Sequence, residues 1–331
     1  MADPKRTGAL AAHSVVKFVF TVPNLDEAAH FYNAFGLDVR RDDGRLDLYT
    51  FGHDHCWGRV YESGKPKQLA YLTLGVYPED YDALKAKVIG EGHTPIDPHP
   101  LGDAEGFWLR DPEGVHVQVR VAPKVTPNAR AEGYGFRFKD NPIGVPIGPM
   151  RCEMQTVRPS RLSHMLLFTS DVDRSLNFYC GVLGLRLSDR SGEGIAFTHG
   201  AHTSDHHLLA FAKSDGPGLH HTSWTVHHFD DVGLGMEQMR AAGYTEGWGV
   251  GRHVIGSNYF YYARDPWGSF AEFSYDIDFI DAATEWPAAD YPPEDSLNLW
   301  GPAVPIFSLL TTKLRPDRPN NNLIGATHAF N

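Results

Sequence analysis

The chain repeats itself, so whatever fold serves one copy has to serve the other. KFVFTVPNLDEAAHFYNAFGLDVR (17–40) and HMLLFTSDVDRSLNFYCGVLGLRL (164–187) follow one plan: an apolar strand, an Asx-rich helix start, a Phe-Tyr pair on the helix and a Gly-Leu exit. The same spacing separates Lys17 from Tyr32 and His164 from Tyr179. A second match sets 68–93 against 218–244, in each case a strand, an acidic helix start and an amphipathic helix ending at glycine. The third sets 108–121 against 261–276, a strand, an Asp-Pro-X-Gly turn and a returning strand, which is a hairpin signal.

Each copy therefore reads as a strand–helix unit, a second strand–helix unit and hairpin strands between and after, and the chain as a tandem α+β protein. The expected boundaries are a first module over 12–122, a linker over 123–159, a second module over 160–277 and a Pro-rich extension over 278–331. Its stretch YPPEDSLNLWGPAVP reads as extended coil. A length of 331 residues suits two domains.

A net charge of −11 without a basic stripe argues against a nucleic-acid partner. No window approaches 18 consecutive apolar residues, and the first residues lack a signal-type apolar core, so neither a membrane span nor export is expected. Cys56, Cys152 and Cys180 form no CxxC pair, which suits a reducing cytoplasm. The 18 histidines stand out at about twice an ordinary share.

Overlaying the copies sets Lys17 against His164, Tyr71 against His221 and Gln118 against Glu272. Only the second copy carries two imidazoles and a carboxylate, so the first reads as a scaffold. Alternation along a strand places Leu219, His221, Ser223 and Thr225 on one face and His220, Thr222, Trp224 and Val226 on the other. The bulky pair Trp224 and Val226 suits a helix-packed face, which leaves His221 and not His220 for the concave side. By the same test Glu272 shares a face with Ser274. Two His and one carboxylate form a facial triad with open positions, suited to Fe(II), and Mn(II) fits the same donors.

The segment GRHVIGSNYFYYARDPWGSFAEF (251–273) resembles the hallmark of the type I extradiol ring-cleavage dioxygenases of the vicinal oxygen chelate superfamily: GRH, then Tyr, then DPxG and Glu. The resemblance runs along nearly the whole chain. It implies a glyoxalase-like fold of tandem βαβββ modules with two curved mixed sheets, the second enclosing a metal held by His164, His221 and Glu272. It further implies His207, in DHHLLAF (205–211), as an acid–base group, and His253 and Tyr262 as hydrogen-bond partners of a bound substrate oxygen. Strand parity would put His207 on one face with Leu209 and Phe211. An Asp that some relatives carry falls on Gly256 here, with Asn258 as a partial substitute.

The implied activity is meta cleavage of a catechol-type diol by O2, as in aromatic-compound degradation, giving a muconic semialdehyde-type product. The implied partners are a small aromatic diol, O2 and further copies of the chain in a homo-oligomer. His199, His202, His206, His220, His227 and His228 are expected on the surface or in loops, and Asp265, Pro266 and Gly268 as turn formers. Tyr259, Phe260, Trp248 and Trp267 are expected to supply an aromatic environment for the ring. Two alternatives stay open: an oxygenase like 4-hydroxyphenylpyruvate dioxygenase, and a non-enzymatic ligand-binding member of the superfamily.

Overall fold

A computed structural model describes residues 4–130, 143–146 and 148–305. Residues 131–142 and 147 of the expected linker and 306–331 of the expected extension lie outside the described residues. The first sheet is built from β1 (Ser14–Val22), β2 (Asp38–Asp42), β3 (Arg45–Tyr49), β4 (Gly58–Glu62), β5 (Gln68–Val76), β6 (Phe107–Arg110) and β7 (His116–Val121). Helices α1 (Leu25–Ala34) and α2 (Pro78–Gly90) follow β1 and β5. The second copy begins with β8 (Arg161–Thr169) and α3 (Val172–Leu176), which runs into a π-helical turn at Asn177–Val182. It continues through β9 (Arg186–Ser191), β10 (Ile195–His199), β11 (Ser204–Asp205), β12 (Leu209–Lys213), β13 (Gly218–Thr225) and α4 (Phe229–Ala241). Strands β14 (Gly247–His253), β15 (Tyr259–Arg264), β16 (Phe270–Tyr275), β17 (Phe279–Ile280), β18 (Ala289–Asp290) and β19 (Asn298–Trp300) complete it.

The two sheets are wired alike. The first has the order β2-β3-β4-β1-β5-β7-β6, and the second repeats it as β9-β10-β12-β8-β13-β16-β15. In each, the opening strand runs parallel to one neighbour and antiparallel to the other. Register matches too: Lys17 stands opposite Thr73 and Thr73 beside Gln118, while His164 stands opposite Ser223 and Ser223 beside Glu272. Helix starts follow from capping chemistry. Asn24 accepts the Asp26 and Glu27 N–H groups, and Asp171 accepts that of Arg174.

Both hairpin turns are held by an aspartate. Asp111 Oδ1 accepts from the Glu113 and Val115 N–H groups, and Asp265 Oδ1 from those of Trp267 and Ser269. Gly114 and Gly268 close these turns at φ +86° and +94°, where only glycine is unstrained. Asp265 does more than form a turn, because its other oxygen makes a buried ion pair with Lys67 of the first copy. One apolar core runs through both copies, with the Phe35 and Phe273 rings stacked at 4.0 Å and Trp224 edge-on to Phe18 at 6.1 Å. No helix among the described residues is long and apolar enough to cross a membrane.

Three expectations need correction. The extension is not coil throughout: β18 pairs with β9, and β19 pairs with β14, covering both edges of the second sheet. Unpaired edge groups give a passing segment somewhere to bond, even one rich in proline. The face alternation along 219–226 fails, because the register jumps between Leu219 and His221 and leaves His220 as a β-bulge. Leu219 therefore joins Trp224 and Val226 in the core, and both His220 and His221 line one cavity. Finally, His199 is buried in β10 rather than at the surface or in a loop, and His202 and His206, in loops as expected, are buried too. Each ring engages a nearby group: His199 Nδ1 meets Ser188 Oγ, His202 Nδ1 accepts the Arg6 N–H, and His206 Nε2 meets Asp189 Oδ2. A hydrogen-bonded imidazole can be buried at modest cost.

Burial pushes three interior rings down, the equally buried His13 and His199 to about 3 and His202 to about 4, from an ordinary 6.5. Between pH 6.5 and about 4 the unfolded chain binds protons that the folded chain refuses, so stability falls as pH falls. Asp111, raised to about 6 by burial, acts in the opposite sense between 3.8 and 6, one group against three. The melting temperature is expected to decline steadily from pH 6.5 to pH 4; a flat profile over that window would contradict the buried neutral state of these rings.

Candidate active site

Strands β8, β13 and β16 lie side by side in the second sheet, and its curvature brings one polar side chain from each to a single point. His164, His221 and Glu272 are all buried, and one donor atom from each falls within 4.8 Å of the others. His164 Nε2 stands 3.2 Å and His221 Nε2 3.6 Å from Glu272 Oε2. Ligands about 2.1 Å from a shared metal, set at right angles, stand about 3 Å apart, so the spacing suits a cation between them.

The surrounding hydrogen bonds aim the donors. Asp205 takes the Ser163 hydroxyl hydrogen at 3.4 Å, which leaves Ser163 Oγ to accept from His164 Nδ1 at 3.2 Å. His221 Nδ1 lies 2.6 Å from His220 Nδ1. With both Nδ1 atoms engaged, the two Nε2 atoms face the carboxylate. Asn258 Nδ2 donates to Glu272 Oε1 at 3.2 Å and to Ser274 Oγ at 2.9 Å, so the second carboxylate oxygen is the one turned inward. His221 Nε2 and Glu272 Oε2 are buried with no hydrogen-bond partner. Orphaned buried lone pairs facing each other are costly, and a metal ion is the group that satisfies them.

The electrostatics agree. Burial would raise the Glu272 carboxyl, but the His164 and His253 rings beside it hold it below the usual carboxylate range. Burial, reinforced by neighbouring imidazoles, drives His207 and His221 well below their ordinary value, and burial lowers His253. Tyr262 is pushed well above its ordinary value by burial and by Glu272. The centre is thus a buried carboxylate with the His207, His221 and His253 rings lowered around it, a negative charge that calls for a cation.

A cavity of about 430 Å³ opens over this point. His207, His253, Asn258 and Tyr262 reach it, as do Leu166, Phe168, Ile195, Phe197 and Trp248. The C-terminal segment closes it with Pro293, Ser296, Leu297 and Val304. His253 Nδ1 donates to the Leu297 carbonyl at 2.7 Å, so its Nε2 accepts from the Tyr262 hydroxyl at 3.0 Å. Lys213 at the wall is ion-paired with Glu193.

Several placements differ from the sequence reading. His207 lies in irregular backbone before β12, and Leu209 and Phe211 belong to the core, so strand parity does not explain its position. Of the four aromatics expected around the ring only Trp248 lines the cavity. Phe260 packs behind it, Tyr259 on Phe229, and Trp267 against the main core. Asn258 steadies Glu272 through Nδ2, while its Oδ1 stands 3.4 Å from where a Gly256 Cβ would begin. His206, Asp189, Ser163, His220 and the Leu297 carbonyl were not foreseen. Three of them adjoin a foreseen histidine in sequence, as Ser-His or His-His pairs, and that adjacency is the signal available.

Residues 161–273 match the family model described as the Glyoxalase/Bleomycin resistance protein/Dioxygenase superfamily. Metapyrocatechase 2 of Cupriavidus necator is 46% identical over 303 residues, 92% of this chain and 93% of that protein. Among solved structures, 2,2',3-trihydroxybiphenyl 1,2-dioxygenase from Sphingomonas wittichii superposes with a TM-score of 0.67 at 20% identity, covering 88% of this chain and 99% of that one. A Mn(II)-bound glyoxalase from Novosphingobium aromaticivorans gives 0.66 at 21% identity, covering 92% and 99%. The two structures share the fold, and the fold by itself does not select a reaction.

Removing the amide that turns Glu272 inward should loosen a bound metal without removing a ligand. Asn258→Ala is expected to weaken divalent-metal affinity about 10- to 100-fold in a calorimetric titration of metal-depleted protein; unchanged affinity would separate Asn258 from the centre.

Proposed function

This chain belongs to the metapyrocatechase family of extradiol dioxygenases, and on that premise we propose that it opens the ring of a catechol-type diol with O2 by meta cleavage, in aromatic-compound degradation. His164, His221 and Glu272 would hold the metal, Fe(II) in our assignment with Mn(II) as the alternative, in a second module over 160–277. The first module, over 12–122, would serve as scaffold. The observation that carries this reading is the pair of orphaned buried atoms, His221 Nε2 and Glu272 Oε2, facing His164 Nε2 at the floor of an apolar cavity. A non-enzymatic binding role gives no reason for such an arrangement.

The metal, when bound, supplies the Lewis acidity that lowers the pKa of a diol hydroxyl and a redox centre with positions open for both reactants. The remaining work falls to side chains of this chain. His253, neutral and with its Nδ1–H held by Leu297, offers Nε2 as a base for the hydroxyl proton. Tyr262, kept protonated, can turn its O–H from His253 to the oxyanion so formed. His207, kept neutral by burial and with its ring centroid 4.0 Å from that of His164, can take a proton and later deliver it to the oxygen released as the ring opens. Leu166, Phe168, Phe197 and Trp248 exclude water and grip the ring.

The test is anaerobic purification with metal analysis, followed by O2 uptake and visible absorbance with catechol, 3-methylcatechol and 2,3-dihydroxybiphenyl. About one metal per chain and a yellow product from at least one diol are expected. His207→Phe should keep the metal and lose about 10²- to 10⁴-fold in turnover. Metal without turnover on any diol would overturn the ring-cleavage reading, and full activity in His207→Phe would remove that residue from it.

A further inference from the structure

Behind His207 runs a line of buried polar groups to which the proposed chemistry gives no part. His207 Nδ1 lies 3.0 Å from His206 Nδ1, and His206 Nε2 lies 2.7 Å from Asp189 Oδ2. All three residues are buried. Asp189 is fixed in its turn: its Oδ1 accepts the Ala289 N–H at 2.8 Å and its Oδ2 the Trp286 indole N–H at 3.4 Å. The Trp286 ring stands edge-on to His206 at 5.2 Å.

The donors and acceptors along this line have an order. A carboxylate only accepts, so His206 carries a hydrogen on Nε2 toward Asp189, and with that single ring hydrogen it presents a bare Nδ1. The hydrogen between the two facing Nδ1 atoms then belongs to His207, whose Nε2 keeps its lone pair for the cavity. From the opposite side the backbone of Gly256 approaches at φ +86°, and a Cβ added to it would stand 3.2 Å from His207 Cε1, 3.4 Å from Asn258 Oδ1 and 3.5 Å from His206 Nδ1.

We propose that Asp189 and His206 are positioning residues that lock His207 in the tautomer with hydrogen on Nδ1, so that Nε2 faces the substrate as a base. The inference rests on the acid–base role given to His207 above. A tautomer with hydrogen on Nε2 would have no lone pair to offer the substrate, and any time spent in it is lost to turnover. The lock also ties the C-terminal segment to the reaction, because Trp286 and Ala289 hold the carboxylate that starts it.

Two measurements test this, one of them independent of activity. In protein labelled with 15N at histidine and loaded with diamagnetic Zn(II), long-range proton–nitrogen correlations should show His207 as the Nδ1–H tautomer. A His207 ring bearing its hydrogen on Nε2 would overturn the proposal even if ring cleavage is confirmed. In the Fe(II)-loaded enzyme, His206→Phe should lower kcat about 10²-fold, with KM for catechol and metal content unchanged. His206→Asn, whose amide oxygen can accept from His207 Nδ1, should recover kcat to within about tenfold of wild type. Equal losses in the two variants, a wild-type kcat in His206→Phe, or losses that follow metal content would reduce the line to a structural brace. If His206→Phe fails to fold, Asp189→Asn and the tautomer of the wild-type protein still decide. Absence of ring cleavage in the wild type would instead refute the function and leave the tautomer result standing.

Discussion

The second sheet is arranged around one buried carboxylate that, among the described residues, no lysine or arginine pairs. Glu272 is completely buried and sits below its ordinary pKa, with imidazoles, and among the described residues no paired lysine or arginine, beside it. Taking such a charge out of water costs several kcal/mol, and a structure that keeps it needs a compensating cation. That need explains the local chemistry: Asn258 holds one oxygen, while Ser163 and His220 engage the outer nitrogens of His164 and His221. The inward-facing lone pairs are what those bonds leave over.

The first copy shows the same frame without that demand. Where the second sheet has His164, Ser223 and Glu272 in register, the first has Lys17, Thr73 and Gln118. There the Thr73 hydroxyl donates to Gln118 Oε1 at 2.8 Å, and Gln118 Nε2 donates to Asp103 Oδ1 and the Glu105 carbonyl. Burial lowers the Lys17 amine from its ordinary value. A neutral amide satisfied by its neighbours can be buried without a partner ion, so one backbone plan carries a closed polar network on one side and an open donor set on the other. The shared core, through Phe35 on Phe273 and Lys67 with Asp265, makes each sheet part of the other's support.

Much of this was legible in the residues, for physical reasons that also mark the limit. Repeated sequence requires repeated register, so aligning the copies was enough to put His164, His221 and Glu272 on matching strands. Alternation then failed at His220, because a bulge adds one residue without any signature that parity can detect. His207 was named through resemblance, and its actual placement owes nothing to a strand. The strands at 289–290 and 298–300 were hidden by prolines, since edge pairing depends on what the sheet leaves unpaired and not on local propensity. Bonds such as His253 to the Leu297 carbonyl join segments whose meeting is set by the whole fold. Pattern reading cannot reach them.

The central claim is that the orphaned donors of the second sheet hold the metal. An anomalous difference map from crystals of the iron-loaded protein, collected at the iron edge, tests it most directly. The account predicts a single strong peak about 2.0–2.2 Å from His164 Nε2, His221 Nε2 and Glu272 Oε2. A peak held by other residues, or none at this triad in protein that retains iron, would contradict it.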